Sequence, residues 1–173
     1  MNLLRLTSLF LILLGACSSP QEEGKITNPK EKPEVFKTMA KVVTKGLPKG
    51  FLQRDYTISE DGKIAYTTLQ LPSRKRSFII QIDLKKKLPI LVPFSGQYND
   101  LEPMLVPGDK MLLFASDRPL FEGDITKDFN LWMVSVDGLK TGTPQPFDTL
   151  INTAYDEYYP SMSRDGSLYF TAI

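Results

Sequence analysis

The feature that most constrains this chain is an internal repeat. The stretch YNDLEPMLVPGDKMLLFAS at 98–116 aligns without a gap with YDEYYPSMSRDGSLYFTAI at 155–173. The offset is 57 residues and pairs Tyr98 with Tyr155, Pro103 with Pro160 and Ala115 with Ala172. An earlier copy, RDYTISEDGKIAYTTL at 54–69, fits the first at an offset of 47, pairing Ile64 with Met111 and Tyr66 with Leu113. Between these blocks lie SFIIQIDL and NLWMVSVDG, then LPILVPF and TPQPF, in which Ile79 pairs with Trp132 and Phe94 with Phe147, both at an offset of 53. One order of pieces recurs, so the sequence predicts a row of like units whose length changes sit in the joints.

Each unit holds four short segments of strand composition, A to D. Segment B is the most telling: Ile64-Ala65-Tyr66, Met111-Leu112-Leu113-Phe114 and Leu168-Tyr169-Phe170 are nearly continuous apolar runs. A strand with one face in water alternates, whereas these runs call for burial on both faces, as in sheets stacked between neighbours. The A-to-B joints Glu60-Asp61-Gly62 and Arg164-Asp165-Gly166 are tight-turn sequences in which glycine supplies a positive φ; the middle copy reads Pro107-Gly108-Asp109. Segment D carries Pro89, Pro93, Pro144 and Pro146. Proline is tolerated mainly at a sheet edge, which makes D the expected outer strand. Four-stranded antiparallel units at this period, buried on both faces, describe the blades of a β-propeller, an all-β fold.

At this point the residues resemble a family. Tyr-Pro-Ser-Met-Ser-Arg-Asp-Gly-Ser-Leu-Tyr-Phe-Thr-Ala at 159–172, with Phe-Ala-Ser-Asp-Arg-Pro at 114–119 and Asn-Leu-Trp at 130–132, is similar to the WD-like repeats of TolB-type β-propellers. The resemblance covers about residues 50–173. It departs from the family pattern where Val106-Pro107-Gly108-Asp109 replaces Ser-x-Asp-Gly and where Asn130 stands in place of a common aspartate. From Arg54 onward there are two full units and the A and B segments of a third, about two and a half blades. Propellers close with about four to eight. The sequence is therefore expected to be a fragment of a longer protein, an incomplete propeller over residues 51–173.

The N-terminus reads as an address. Met1 to Arg5 makes a short positive start, Leu6 to Leu14 an apolar run, and Leu14-Gly15-Ala16-Cys17 resembles the lipobox of bacterial lipoproteins. The apolar run is shorter than the roughly 20 residues a bilayer span takes, which fits a cleaved signal peptide over 1–16. Cys17 is then the expected lipid attachment point, and its acyl chains would hold the protein on a membrane. The serines at 18 and 19, by resemblance to the known sorting pattern, favour the outer membrane, facing the periplasm or the cell surface. Residues 17–33 hold one large apolar side chain, Ile26, and are expected to form a flexible tether. Over 34–50, Val35, Phe36, Met39, Val42 and Val43 suit one face of a short helix or an irregular strand, and both readings stay open.

Composition removes several function classes. The chain has no histidine and one cysteine, so a Ser-His-Asp triad, a His-activated thiol, the usual Cys/His zinc sites and an internal disulfide are all excluded. Arg5 is the only charge ahead of Cys17, so the remainder balances 20 Lys+Arg against 20 Asp+Glu and has no field to gather nucleic acid. The basic runs Arg74-Lys75-Arg76 and Lys85-Lys86-Lys87 read as solvated turns. No cofactor or metal site is assigned; carboxylates alone leave glycosidase-type chemistry and calcium binding open, although no loop shows EF-hand spacing.

Meander parity puts the B-to-C and D-to-A loops on one face of the disc. That face is expected to present Asp117, Arg118, Glu122, Asp124, Lys127 and Asp128 from one loop, and Asn99, Asp100, Glu102, Asp156 and Glu157 from the others. The plain alternative is that these are solvated charges with Arg118 pairing locally. Trp132 is expected in the core. The preferred function is a membrane-anchored, non-catalytic binding scaffold of the cell envelope, its partner an envelope protein, a peptidoglycan-associated component or a glycan. The alternatives are the propeller part of a larger prolyl-oligopeptidase-like hydrolase and a carbohydrate-active propeller. Against the latter, Ser163-Arg164-Asp165-Gly166 puts glycine directly after aspartate, unlike the sialidase-type Ser-x-Asp-x-Gly.

Overall fold

The computed structural model describes residues 50–173. The expected signal peptide, Cys17, the tether and the lead-in up to residue 49 lie outside the described residues. Within them the chain is all-β, with antiparallel sheets and no helix. Strands β1 (Leu52–Ile58), β2 (Ile64–Gln70), β3 (Ser77–Asp83) and β4 (Leu88–Leu91) form a four-stranded meander in chain order. Strands β5 (Asp100–Leu105), β6 (Met111–Ser116), β7 (Asn130–Asp137), β8 (Lys140–Thr141) and β9 (Gln145–Pro146) form a second sheet, and β10 (Glu157–Met162) pairs with β11 (Leu168–Ala172) in a third. The units A to D map onto these sheets in order, and both basic runs fall in turns of the first.

The core lies between the sheets, as continuous apolar runs require. In β2 and β3 alternate residues face opposite ways. Tyr66 and Ile79 join Val92, Leu105, Leu112, Phe114, Trp132, Val134 and Val136 in a cluster between the first and second sheets. Ala65, Leu69, Ile80 and Ile82 form a separate cluster on the first sheet's other face. Leu101, Ala115 and Leu131 pack with Phe129, Phe147, Tyr158 and Leu168 between the second sheet and the third. Fully burying side chains such as Leu112 and Phe114 contributes about 1.5–3 kcal/mol each.

Segment D of the second unit, TPQPF at 143–147, holds the short strand β9, which pairs with Trp132 and Met133 of β7; the two-residue β8 just before it pairs with Val136 and Asp137. One expectation needs correction. The segment β11 is not buried on both faces, since Tyr169 is 62% and Phe170 37% exposed. Its neighbour on one side is β10 alone, with no third strand and no further sheet among the described residues to cover it.

The A-to-B turns repeat in chemistry. In the first, Gly62 has φ +68°, the Asp61 carboxylate accepts the Ser59 hydroxyl and the Lys63 N–H, and Gly62 N–H donates to the Ser59 carbonyl at 2.8 Å. The third turn copies this with Ser163, Asp165, Gly166 and Ser167. In the second turn Val106 replaces the serine, and Gly108 and Asp109 both take positive φ. Asp61 and Asp165, each holding several donors, are pulled down to about 2.

Candidate functional site

The A strands share a feature that no glycine announces. Asp55, Glu102 and Tyr159 occupy one column of the repeat, and each has a left-handed backbone, with φ of 55°, 57° and 55°. At each the strand pairing slips by a bulge. Left-handed geometry costs a residue with a Cβ roughly 1–2 kcal/mol, and such strain concentrates where a site needs a particular backbone. A bulge also re-aims the side chains that follow it.

Strand β5 lies against β1 on one side and β10 on the other, so the three bulges meet. Glu102 joins them. Its Oε1 accepts from Arg54 Nη2 at 3.2 Å and its Oε2 from the Tyr159 N–H at 2.5 Å, while its own N–H donates to Thr68 Oγ1 at 3.1 Å. Arg54 also donates through Nε to Asp55 at 2.6 Å. Burial, above all, raises the Glu102 carboxyl above the ordinary glutamate range; nearby Asp55 adds to this, and the Tyr159 N–H and Arg54 oppose it. Over these groups lies a shallow cavity of about 210 Å³, lined by Asp55, Tyr56, Glu102, Met104, Tyr159 and Pro160 among others. Tyr56 and Tyr159 remain substantially exposed. An acidic centre with one guanidinium and two aromatic rings around it can hold a polar or cationic group while offering ring faces for stacking.

The charges expected on one loop face are distributed differently. Asp100, Glu102 and Glu157 are strand residues, and all three are buried. Arg118 is buried too: its Nη2 donates to Asp100 Oδ1 at 2.6 Å, and its Nε to Ser116 Oγ at 2.9 Å. The guanidinium sits 4.9 Å from the Phe114 ring centroid and 5.2 Å from that of Trp132, with Phe94 and Tyr98 also in range. Burial pushes the Asp100 carboxyl up, opposed by Arg118 and by the Ser95 and Ser116 hydroxyls. This Arg118 arrangement is internal, not a loop surface.

The remaining candidates have their own partners. Asp117 accepts from the N–H and side-chain amide of Asn99, and Asp156 from the Phe129 N–H at 2.7 Å. Asp124 folds its own loop by accepting from Leu120 N–H, Thr126 N–H and Thr126 Oγ1, which lower its carboxyl below the usual range. Glu122 and Lys127 are exposed and Asp128 half-buried in the same loop. Glu157 accepts from Thr153 through Oε1, while Oε2 is buried without a partner. Among the described residues no three carboxylates converge to hold a metal. Sequence reasoning missed Arg54, Asp55, Tyr56 and Tyr159; the repeat alignment already stacked Asp55, Glu102 and Tyr159, and that column was the available signal.

No family model matches the chain, and no curated protein matches it. Among solved structures, TolB from Acinetobacter baumannii matches with a TM-score of 0.51 at 20% sequence identity, over 71% of this chain. The chain spans 27% of that protein's length in the match. At this identity the likeness speaks to fold. With the recurring antiparallel sheets and the cores between them, it gives the described region a TolB-like fold built from propeller-like blades.

Proposed function

We propose that this protein is a membrane-anchored, non-catalytic binding module of the bacterial cell envelope, held by lipidated Cys17 and engaging its partner over the inner-strand bulges. The observation that carries the reading is the meeting of two left-handed A-strand residues, Asp55 through Arg54 and Tyr159 through its N–H, at a third, Glu102, beneath a cavity rimmed by Tyr56 and Tyr159. Strain kept at three equivalent positions builds a surface of defined shape, and shape is what a binding module needs. The TolB-like fold supports an envelope setting. The absence of histidine from the whole sequence supports binding over general acid–base catalysis. The partner is an envelope protein, a peptidoglycan-associated component or a glycan.

The test uses the full chain in a bacterial host. Cys17→Ser is expected to move the protein from the membrane to the soluble fraction and abolish incorporation of a labelled fatty acid. A photo-crosslinking amino acid at position 56 is expected to capture a discrete envelope component, and Glu102→Ala is expected to reduce that capture at least tenfold. Unchanged membrane association of the Cys17 variant overturns the anchor. Crosslinking that ignores Glu102 overturns the site.

A further inference from the structure

At the ends of the strands away from the B-to-C loops, a second cleft opens between the first two sheets. It holds about 170 Å³ and is lined by Ser59, Asp61, Ile64, Tyr66, Leu105 and Asp109, among others. Its walls are held together by a reciprocal pair of bonds between two A-to-B turns. Glu60 N–H donates to Asp109 Oδ2 at 2.7 Å, and Gly108 N–H to Glu60 Oε1 at 3.2 Å. The lining divides by chemistry: Ile64, Leu105, Val136 and the Tyr66 ring are apolar, while Asp61 is already held by the Ser59 hydroxyl and by the Lys63 ammonium at 2.8 Å, which leaves Asp109 as the carboxylate with an oxygen to offer.

Tyr66 is the telling group. It is 1% exposed, and its hydroxyl is buried without any hydrogen-bond partner. A buried hydroxyl left unpaired costs about 1–3 kcal/mol, so an occupant that satisfied it would recover that loss. Burial, and after it the field of Asp109, raises its phenol to about 12, so it stays an uncharged O–H near neutral pH. Asp109 commits Oδ2 to the Glu60 N–H, which leaves Oδ1 outside that bond. The matching occupant has an aliphatic stem for the apolar wall and a head that donates several hydrogen bonds and carries positive charge. An anion would meet the Asp109 carboxylate, and a purely apolar group would leave Tyr66 unsatisfied.

We propose that this cleft binds a primary alkylammonium, the chemistry of a lysine side chain, with its stem against Ile64, Leu105 and Val136 and its head between Tyr66 Oη and Asp109. The site is separate from the inner-strand bulges and does not depend on their role. Lysine-type stems suit such a pocket because their methylenes bury readily while the ammonium keeps polar partners. The exposed Lys110 on the rim is an internal group of the same chemistry.

The test titrates the full chain with n-butylammonium, with a blocked lysine tripeptide and with the matching norleucine tripeptide, following a ring-labelled Tyr66 by NMR. Saturable shifts with the first two and none with norleucine are expected. Binding of the peptide but not of butylammonium identifies a protein partner as the source; equal binding identifies a free amine. Tyr66→Phe removes a buried hydroxyl that bonds to nothing, so the free protein's melting temperature should hold or rise while amine affinity falls about tenfold. Asp109→Asn should weaken amine binding by a similar factor. Absence of a Tyr66 shift at millimolar amine, equal binding of norleucine, or a Tyr66→Phe protein that binds as before would each overturn the proposal.

Discussion

Strands β6 and β11 are copies of one segment, and the molecule treats them differently. Leu112 and Leu113 are buried, yet their counterparts Tyr169 and Phe170 are 62% and 37% exposed. Both strands pair with an A strand, but β6 also pairs with β7 and has sheets on both sides. The apolar composition of segment B is therefore not a property that a strand satisfies alone; it is satisfied by what neighbouring sheets place against it. The same contrast holds for charge. Asp100 has Arg118 and two serine hydroxyls, while Glu157, at the same column of the repeat, has one oxygen with no partner.

The sharpest way to break this comparison is at the buried pair. Arg118→Ala leaves Asp100 uncompensated and opens a hole among Phe94, Phe114 and Trp132, and it is expected to cost about 3–5 kcal/mol. Glu157→Gln, which keeps an oxygen for Thr153 and removes only an unpaired charge site, should change stability by less than about 1 kcal/mol. Urea denaturation of the two variants checks this, and comparable losses would mean that the two carboxylates have equivalent surroundings.

A smaller contrast tests the apolar half. Leu113→Ala is expected to cost about 2–5 kcal/mol, as a leucine truncated in a packed interior does. Phe170→Ala, at the equivalent position, is expected to cost less, about 1–2 kcal/mol, because 37% of its surface is already in water. If Phe170→Ala proves the more damaging, then something shields β11 in solution and the difference in burial is not intrinsic to the chain.

Much of this was legible in the sequence, for identifiable reasons. The repeat, the order A to D, the Asp-Gly turns and the proline-bearing edge at Pro89 all rest on residues whose chemistry is local. The site was less legible. Asp100, Glu102 and Glu157 look like loop charges beside Asn99 and Asp156, and only pairing across strands shows that they are strand residues turned inward. The bulges left little compositional mark: Asp55 is a type that tolerates a left-handed backbone, but glutamate and tyrosine stand at the equivalent positions, where glycine or asparagine is the usual choice.

That absence is itself testable, on a scale of about 1 kcal/mol. Tyr159→Gly removes the left-handed penalty but also the ring packed against Tyr158, 6.4 Å between centroids. The net change should be small. Tyr159→Val puts a branched side chain into the same backbone, and it should be less stable than the glycine variant by about 1–2 kcal/mol. Thermal melts of the pair decide it, and equal stabilities would mean that the backbone relaxes out of the left-handed region once tyrosine is gone.

The smallest expected effect compares an inner-strand carboxylate with a turn carboxylate through pH. Asp61 has its carboxyl depressed from 3.8 to about 2 by the Lys63 and Ser59 donors. A depressed acid contributes stability that is fully present above its unfolded value and lost as pH falls towards the folded one. Wild type should therefore exceed Asp61→Asn in urea midpoint at neutral pH, with the gap closing as pH falls from about 4 to 2. Glu102 is shifted the other way by burial, so its ionisation opposes folding at neutral pH and protonation relieves that opposition as pH falls through its raised value. Relative to Glu102→Gln, wild type should gain in midpoint over the window where Asp61 has not yet begun to titrate. Two carboxylates of one protein would thus give pH dependences of opposite slope, and matching slopes would show that Glu102 is solvated in solution and that the three bulges do not close around it.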